Sequence, residues 1–388
     1  MELQELFNLP RMNTMELNDT NSVKGLYSLI QQFYKPNFQM VEVGSFEGIS
    51  TLLFSKFVSV IYSVDYYDYK VPETGRIPEH DQTFVEAEKL FIARTKDIKN
   101  IVKIKKKSVE ATKDFADRSL DAVYIDGEHD EPSIREDIKA WRPKIKFGGI
   151  LSGHDFSTTI QQILNEEGFL NITMAPDTSW AVRIPSVDIV AVACTKISET
   201  IEAIRKCQAQ MKFNRYLLFT HEDIQAEGIE IIKIDKLDYK EYNEFVAMKL
   251  WQYTGADYVL LVQNDGYITD ASQWSDEFLK YDYIGAPWPI PNDDTTYRTP
   301  SGRLVRVGNG GFSFRSRKLL RAPTILGLEF TDKGSGFFHE DGFLCVHSGD
   351  ALEANGIKFA PVELAAQFST ELIVPETRKS FGGHKYFK

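Results

Sequence analysis

Apolar positions along this chain switch repeatedly between a helical and a strand period. Residues 20–34 (TNSVKGLYSLIQQFY) carry apolar residues at helical spacing, and the run ends before Pro36. Short apolar runs of strand length then alternate with helical stretches. MVEVG (40–44) reads as a buried strand, SFEGISTLLFSKF (45–57) as the helix behind it and VIYSVD (60–65) as the next strand. KIKKKS (103–108), LDAVYID (120–126) and GILSGHD (149–155) follow as strands, with a helix over EPSIREDIKAWRPKI (131–145). Such alternation predicts a parallel sheet covered by helices on both faces. NITMA (171–175) and SWAVRI (179–184) predict an antiparallel finish, and Pro185 and Ser186 punctuate the chain.

The pattern then restarts. VDIVAVACT (187–195), RYLLFT (215–220), IEIIKI (229–234) and DYVLLVQND (257–265) read as strands. ISETIEAIRKCQAQM (197–211) and KEYNEFVAMKLWQYTG (240–255) read as helices, the second stopped by Gly255. From PWPIPNDD (287–294) to VGNGGFSF (307–314) the chain turns irregular and rich in Gly, Pro and aromatics, a pattern expected of functional loops.

Composition narrows this picture. At 388 residues the chain is too long for one ordinary core, and the restart divides it into two α/β domains, 1–184 and 185–388. No apolar stretch approaches the roughly 20 residues that a membrane span needs. MELQELFNLPRMN (1–13) lacks the basic end and apolar run of a secretory leader. Cys194, Cys207 and Cys345 are odd in number and form no CxxC pair. They predict neither a disulfide framework nor a structural zinc site, and point to the reducing cytoplasm. A net charge of -11 argues against a nucleic-acid partner. The one dense basic run, Lys103 to Lys107, reads as a strand with a solvated face. Nothing in the pattern specifies an oligomeric state.

Candidate chemistry gathers at strand ends. Gly44 and Gly48 follow the first strand, where glycine permits a tight turn and close approach of a ligand. The bland readings are a dinucleotide loop or a plain strand–helix turn. A dinucleotide loop wants GxGxxG for a pyrophosphate; here the spacing is GxxxG and Glu42 precedes it. A carboxylate there suits a cationic amino-acid or sulfonium group. Asp65 ends the next strand, where a carboxylate can hold ribose hydroxyls. Asp126 and Asp155 each close a parallel strand facing the same crevice, and two carboxylates so placed are reconciled by a divalent cation such as Mg²⁺.

Residues 120–156 (LDAVYIDGEHDEPSIREDIKAWRPKIKFGGILSGHDF) resemble class I S-adenosylmethionine-dependent methyltransferases. The sugar and macrolide-sugar O-methyltransferase branch is the nearest match, over roughly residues 35–160. This resemblance implies a Rossmann-like domain with S-adenosylmethionine held by Glu42, Gly44, Gly48, Asp65 and, near the adenine, Ser108. It also implies a divalent metal, Mg or Mn, on Asp126 and Asp155, with His154 where relatives often have another acid. His129 matches the position proposed as general base. Its bland reading is a loop histidine capping the helix that begins near Pro132.

The second half resembles a family of uncharacterised domains that look like GT-A glycosyltransferases, through DYVLLVQNDGYI, YDYIGAPW, VGNGGFSFRS, HEDGFL and FGGH in that order. The resemblance implies a nucleotide sugar as donor and a glycan or sugar as acceptor. Thr195, Asp265, Asn309, Gly310 and Gly311 would contact the donor, Asp265 and His384 would hold a metal, and Asp341 or Glu340 would be the base of an inverting transfer. Trp288 would stack on a sugar face; its bland reading is a core aromatic. Gln263-Asn264-Asp265 departs from the family's DxD by one carboxylate. The expectation is a bifunctional glycan-assembly enzyme. An active O-methyltransferase carrying an inactive glycan-binding module is the alternative. A small-molecule or protein methyltransferase with an unrelated scaffold attached is a third.

Overall fold

A computed structural model describes residues 3–7, 20–67, 79–332, 338–371 and 379–384, and the chain divides into two units, Met1–Ile184 and Pro185–Lys388. In the first, the strands are β1 (Gln39–Val43), β2 (Val60–Val64), β3 (Ile101–Ile104), β4 (Leu120–Ile125), β5 (Ile145–Gly153), β6 (Thr173–Met174) and β7 (Trp180–Arg183). They form one sheet in the order β3-β2-β1-β4-β5-β7-β6. β1 to β5 are parallel, and β7 and β6 return antiparallel, as the sequence predicted. β1 has parallel neighbours on both edges, so its apolar residues Met40, Val41 and Val43 are buried, and Glu42 with them.

Strand order reverses at β1. The chain builds outward through β2 and β3, then returns to lay β4 on the other side. Loops leaving β1 and β4 therefore diverge, and a crevice opens beyond their carboxyl ends. Helices Thr20–Phe33 and Ile49–Phe54 close one face through a core that includes Leu29, Ile30, Leu53, Phe54, Met40 and Tyr124.

Local differences from the sequence reading have physical causes. The helix expected over 45–57 forms only at Ile49–Phe54, because Gly44 and Gly48 both hold left-handed backbone. The strand placed at 103–108 lies at Ile101–Ile104, and Lys105 to Lys107 fall beyond it. Lys103 and Lys105 flank Glu88 instead of forming a free basic face. Helix Glu79–Thr95 went unread, since its apolar residues spread around the helix: Ala87 and Phe91 are buried, Phe84, Val85 and Leu90 half-buried and Ile92 exposed. Asp130, not His129, caps helix Glu131–Trp141, accepting the Ser133 N–H at 3.1 Å.

The second unit contains β8 (Val187–Val192), β9 (Tyr216–Thr220), β10 (Glu230–Lys233), β11 (Tyr258–Val262), β12 (Gly266–Ile268), β13 (Tyr283–Ile284), β14 (Phe312–Ser316), β15 (Ser369–Thr370) and β16 (Gly382–His384). Six form a sheet ordered β10-β9-β8-β11-β14-β13, and a smaller sheet runs β12-β16-β15. β14 begins inside the stretch expected to be irregular and runs two residues past it. It is a fully buried strand between β11 and β13, hidden in sequence by its polar residues Ser313, Arg315 and Ser316. The helix expected over 240–255 begins at Tyr239 with a capping box, then widens into a π-helix at Phe245–Lys249 and tightens at Leu250–Gln252.

Arg315 is completely buried, and its Nη2 lies 2.7 Å from Glu340 Oε2, itself 3% exposed. Removing one member of a buried pair strands the other charge. Arg315→Met alone should therefore lower the urea stability of the second unit by about 3–5 kcal/mol. Arg315→Met combined with Glu340→Leu should recover most of that loss in the same measurement.

Candidate functional site

The glycine loop after β1 is built by contact with the loop after β4. Gly44 has φ 82°, and a Cβ there would lie 1.9 Å from the Asp126 carbonyl oxygen. Gly48 has φ 83°, and a Cβ there would meet the Phe91 ring at 2.9 Å. Asp65 ties the loop from its other side, accepting the N–H of Phe46 at 2.7 Å and of Tyr67 at 2.9 Å. Phe46 needs such support, because its φ is 41°. Burial raises the Asp65 carboxyl above its ordinary pKa despite those two donors.

Glu42 lies beneath the loop at 0% exposure. Thr51 Oγ1 donates to its Oε2, and no hydrogen bond reaches Oε1 among the described residues. Burial pushes its pKa up to about 7. A cleft of about 250 Å³ opens here, lined by Gly44, Gly48, Leu26, Tyr124, Asp126, His154 and Asp177 among others. Glu42, Asp65 and Ser108 are not among its lining residues. Ser108 Oγ accepts the indole N–H of Trp141 at 2.9 Å.

Asp126 follows β4, and His154 and Asp155 follow β5, its parallel neighbour. One donor atom from each lies within 4.8 Å of the others. His154 Nδ1 is 2.9 Å from Asp155 Oδ1 and 3.8 Å from Asp126 Oδ1, and His129 Nδ1 is 2.8 Å from Asp155 Oδ2. The four residues expected to work together are thus contiguous. Hydrogen bonding from His129, then from His154, holds the Asp155 carboxyl well below the usual carboxylate range. Burial pushes Asp126 up to about 7. Burial alone would lower His154, but Asp155 and the other acids outweigh it and hold the imidazole near 9. The Asp155 hydrogen bond likewise raises His129. A recess of about 50 Å³, lined by His129, Asp155, Ser157 and Trp180, shares Asp126 and His154 with the larger cleft.

Asp177 escaped the sequence reading. It sits just before β7, 6% exposed, on the cleft wall. One faint signal was available. Gly25 interrupts a helical apolar pattern, and a Cβ there would lie 2.5 Å from Asp177 Oδ1.

In the second unit, part of the expected donor site is used internally. Asn309 gives its amide to the fold: Oδ1 accepts the Trp288 indole N–H at 2.9 Å, and Nδ2 donates to the Ala286 carbonyl at 3.3 Å. A Cβ on Gly310 would lie 1.6 Å from Glu340 Oε1, and one on Gly311 would lie 2.3 Å from His384 Nε2. Side chains of this chain, not a ligand, explain both glycines. Trp288 is buried, with its ring stacked on Tyr297 at 4.5 Å, so the bland reading of that residue holds. Glu340 is engaged by Arg315 and is therefore poorly placed to act as a base. Asp341 is half-buried; it accepts the Gly310 N–H at 3.1 Å and the Gly342 N–H at 2.7 Å. Thr195 is exposed beyond β8. Asp265 and His384 do meet, with Asp265 Oδ1 3.0 Å from His384 Nε2, while His384 Nδ1 lies 3.3 Å from Glu371 Oε1.

Residues 41–156 match the family model described as a methyltransferase domain. Residues 229–384 match a family described as a protein of unknown function (DUF5672). The first unit accordingly contains a methyltransferase domain of Rossmann-like architecture, followed by a further α/β domain. No curated protein matches the chain. Similar solved structures include an rRNA methylase from Streptococcus thermophilus, 14% identical over 42% of this chain and 93% of that one, with a TM-score of 0.30. Another is precorrin-6y C5,15-methyltransferase from Geobacter metallireducens, 12% identical over 43% and 90%, with a TM-score of 0.32. A third is a SAM-dependent O-methyltransferase from Thermotoga maritima, 14% identical over 42% of this chain and 63% of that one, with a TM-score of 0.30.

The burial of Glu42 has a pH signature. Its pKa is about 7 in the folded protein against an ordinary 4.5, so the folded state keeps the proton over that window while the unfolded chain loses it. The contribution is fully present below the unfolded pKa and is lost as pH rises through the folded one. Glu42→Gln should therefore gain stability relative to wild type as pH rises from 4.5 to 7, by roughly 3 kcal/mol, read from urea melts across pH.

Proposed function

We propose that the first unit transfers a methyl group from S-adenosylmethionine to a sugar hydroxyl, assisted by a divalent cation. The observation that carries this reading is the shared wall: Asp126 and His154 border both the large cleft and the recess containing His129. The residues fit the donor. Gly44, Ser45 and Gly48 line the larger cleft, and the carboxylates of Asp126 and Asp177 in its wall suit a cationic ligand. They also fit a cation: two carboxylates and an imidazole suit Mn²⁺ at least as well as Mg²⁺. When bound, the donor supplies an electrophilic methyl group and the cation lowers the pKa of a coordinated hydroxyl.

The chain's own groups do the rest. Asp126, His154 and Asp155 would hold the cation, and Asp155 orients the His129 ring through Nδ1. That leaves His129 Nε2 to take the hydroxyl proton as the oxygen–carbon bond forms and the carbon–sulfur bond breaks. Calorimetry should show S-adenosylmethionine or its demethylated product binding. Chelation should abolish methyl transfer, with recovery on adding Mn²⁺ or Mg²⁺. His129→Ala should remain folded and lose roughly 10²–10⁴-fold in rate; full activity in that variant would remove it from the mechanism.

For the second unit we propose nucleotide-sugar-dependent transfer with Asp341 as base, supported by its anchored, half-buried carboxylate beside the Glu340–Arg315 pair. The internal use of Asn309, Gly310 and Gly311 favours a second reading, a glycan-binding module without catalysis. A panel of sugar nucleotides separates them. Asp341→Asn should bind donor normally and lose transfer, whereas absence of any sugar-nucleotide binding in wild type selects the module.

A further inference from the structure

We infer that Asp177 is a positioning residue for the cation site, holding the His154 ring from the side opposite Asp126 and Asp155. The inference rests on the cation role proposed for those three residues. His154 Nδ1 faces the two carboxylates, whereas Nε2 faces Asp177 Oδ2 at 4.0 Å. A metal-ligating histidine is ordinarily fixed by an oxygen acceptor at its other ring nitrogen, and Asp177 supplies the carboxylate on that side. The separation is that of an ion pair rather than a hydrogen bond.

Asp177 is itself held rigidly. Its side chain is 1% exposed. Oδ1 accepts the Ser179 N–H at 3.2 Å, and Oδ2 accepts the Ser179 hydroxyl at 2.9 Å. Ser179 Oγ is in turn 2.9 Å from the buried Tyr124 hydroxyl. Helix Thr20–Phe33 closes over the carboxylate at Gly25, where a Cβ would leave no room for it. Just beyond, Trp180 donates its indole N–H to the His154 carbonyl at 3.0 Å. The chain entering β7 therefore grips His154 twice, at its main chain and at its ring.

Burying a carboxylate is costly unless something answers its charge. Among the described residues, His154 is the basic group within 4.0 Å of Asp177. Asn at this position keeps one acceptor for Ser179 but loses the charge and turns an amide NH2 toward the second donor, so the change is compared with and without His154. The charge is what the His154 ring requires.

The test is Mn²⁺ binding to the full-length protein by calorimetry, in a double-mutant cycle. Asp177→Asn should weaken Mn²⁺ by roughly 10–100-fold. In a His154→Ala background the same change should have no further effect, whereas a general structural role would still lower affinity there. Ser179→Ala, which removes one hydroxyl donor from Asp177, should give a smaller loss and covers the case in which Asp177→Asn fails to fold. Unchanged Mn²⁺ affinity in Asp177→Asn, or an equal loss with and without His154, overturns the inference while leaving the cation site intact. Failure of the wild-type protein to bind Mn²⁺ overturns the cation site, and this inference with it.

Discussion

The first unit's site depends on one contact: the chain leaving β1 presses against the chain leaving β4 so closely at Gly44 that no side chain fits between them. The reversal of strand order at β1 forces the two loops to part beyond this point. The larger cleft opens where they part, and Asp126 borders both it and the smaller recess at the ends of β4 and β5. Asp65 then fixes the far side of the loop by accepting the Phe46 N–H, and steadies its own strand end by accepting the Tyr67 N–H. Its strand-end position suggested a ribose contact; its carboxylate accepts two backbone N–H groups and is not among the residues lining the cleft.

Around that contact the fold gathers more negative charge than its own stability favours. Glu42 and Asp126 are both pushed up to about 7 by burial, and Asp177 lies in the same wall. Burying several carboxylates in one place costs free energy unless cations answer them. Within the fold the partial answer is His154, which Asp155, Asp126 and Asp177 hold near 9 against the effect of burial. A sulfonium donor and a divalent cation would answer the rest. The local penalty is the kind that concentrates at functional sites.

Strand ends were legible because parallel sheets expose their carboxyl ends on one edge. This rule placed Asp126 and Asp155 together, whereas His154 followed from the methyltransferase resemblance; one donor atom from each of the three lies within 4.8 Å of the others. Asp177 escaped it because it precedes an antiparallel strand, where no such rule applies. Its only trace was the helix glycine that makes room for it. Helix Glu79–Thr95 escaped for a different reason: its apolar residues spread around the helix and mark no single face. β14 escaped because its buried polar residues are satisfied by tertiary partners, Glu340 for Arg315 and Asp282 for Ser316, and sequence periodicity cannot register partners so distant.

In the second unit glycine was the misleading signal. A glycine-rich turn says that something approaches the backbone, without saying whether a ligand or the chain itself does so. At Gly310 and Gly311 the approaching groups are Glu340 and His384. The pairing of β12 with β16 brings His384 there and sets it beside Asp265, more than a hundred residues away in sequence. Once these groups are accounted for, the chemistry still open moves from the loop to acids at its rim: Asp265, 41% exposed in its side chain, and half-buried Asp341. Both π-helical segments of the unit start near this rim. One begins at Gly342, directly after Asp341; the other follows Asn243, whose Oδ1 accepts the Glu340 N–H at 2.9 Å. π-Helical turns are rare and gather at functional sites. Here both connect to the main chain at Glu340, whose side chain pairs with buried Arg315, so the ion pair fixes the floor on which Asp341 stands.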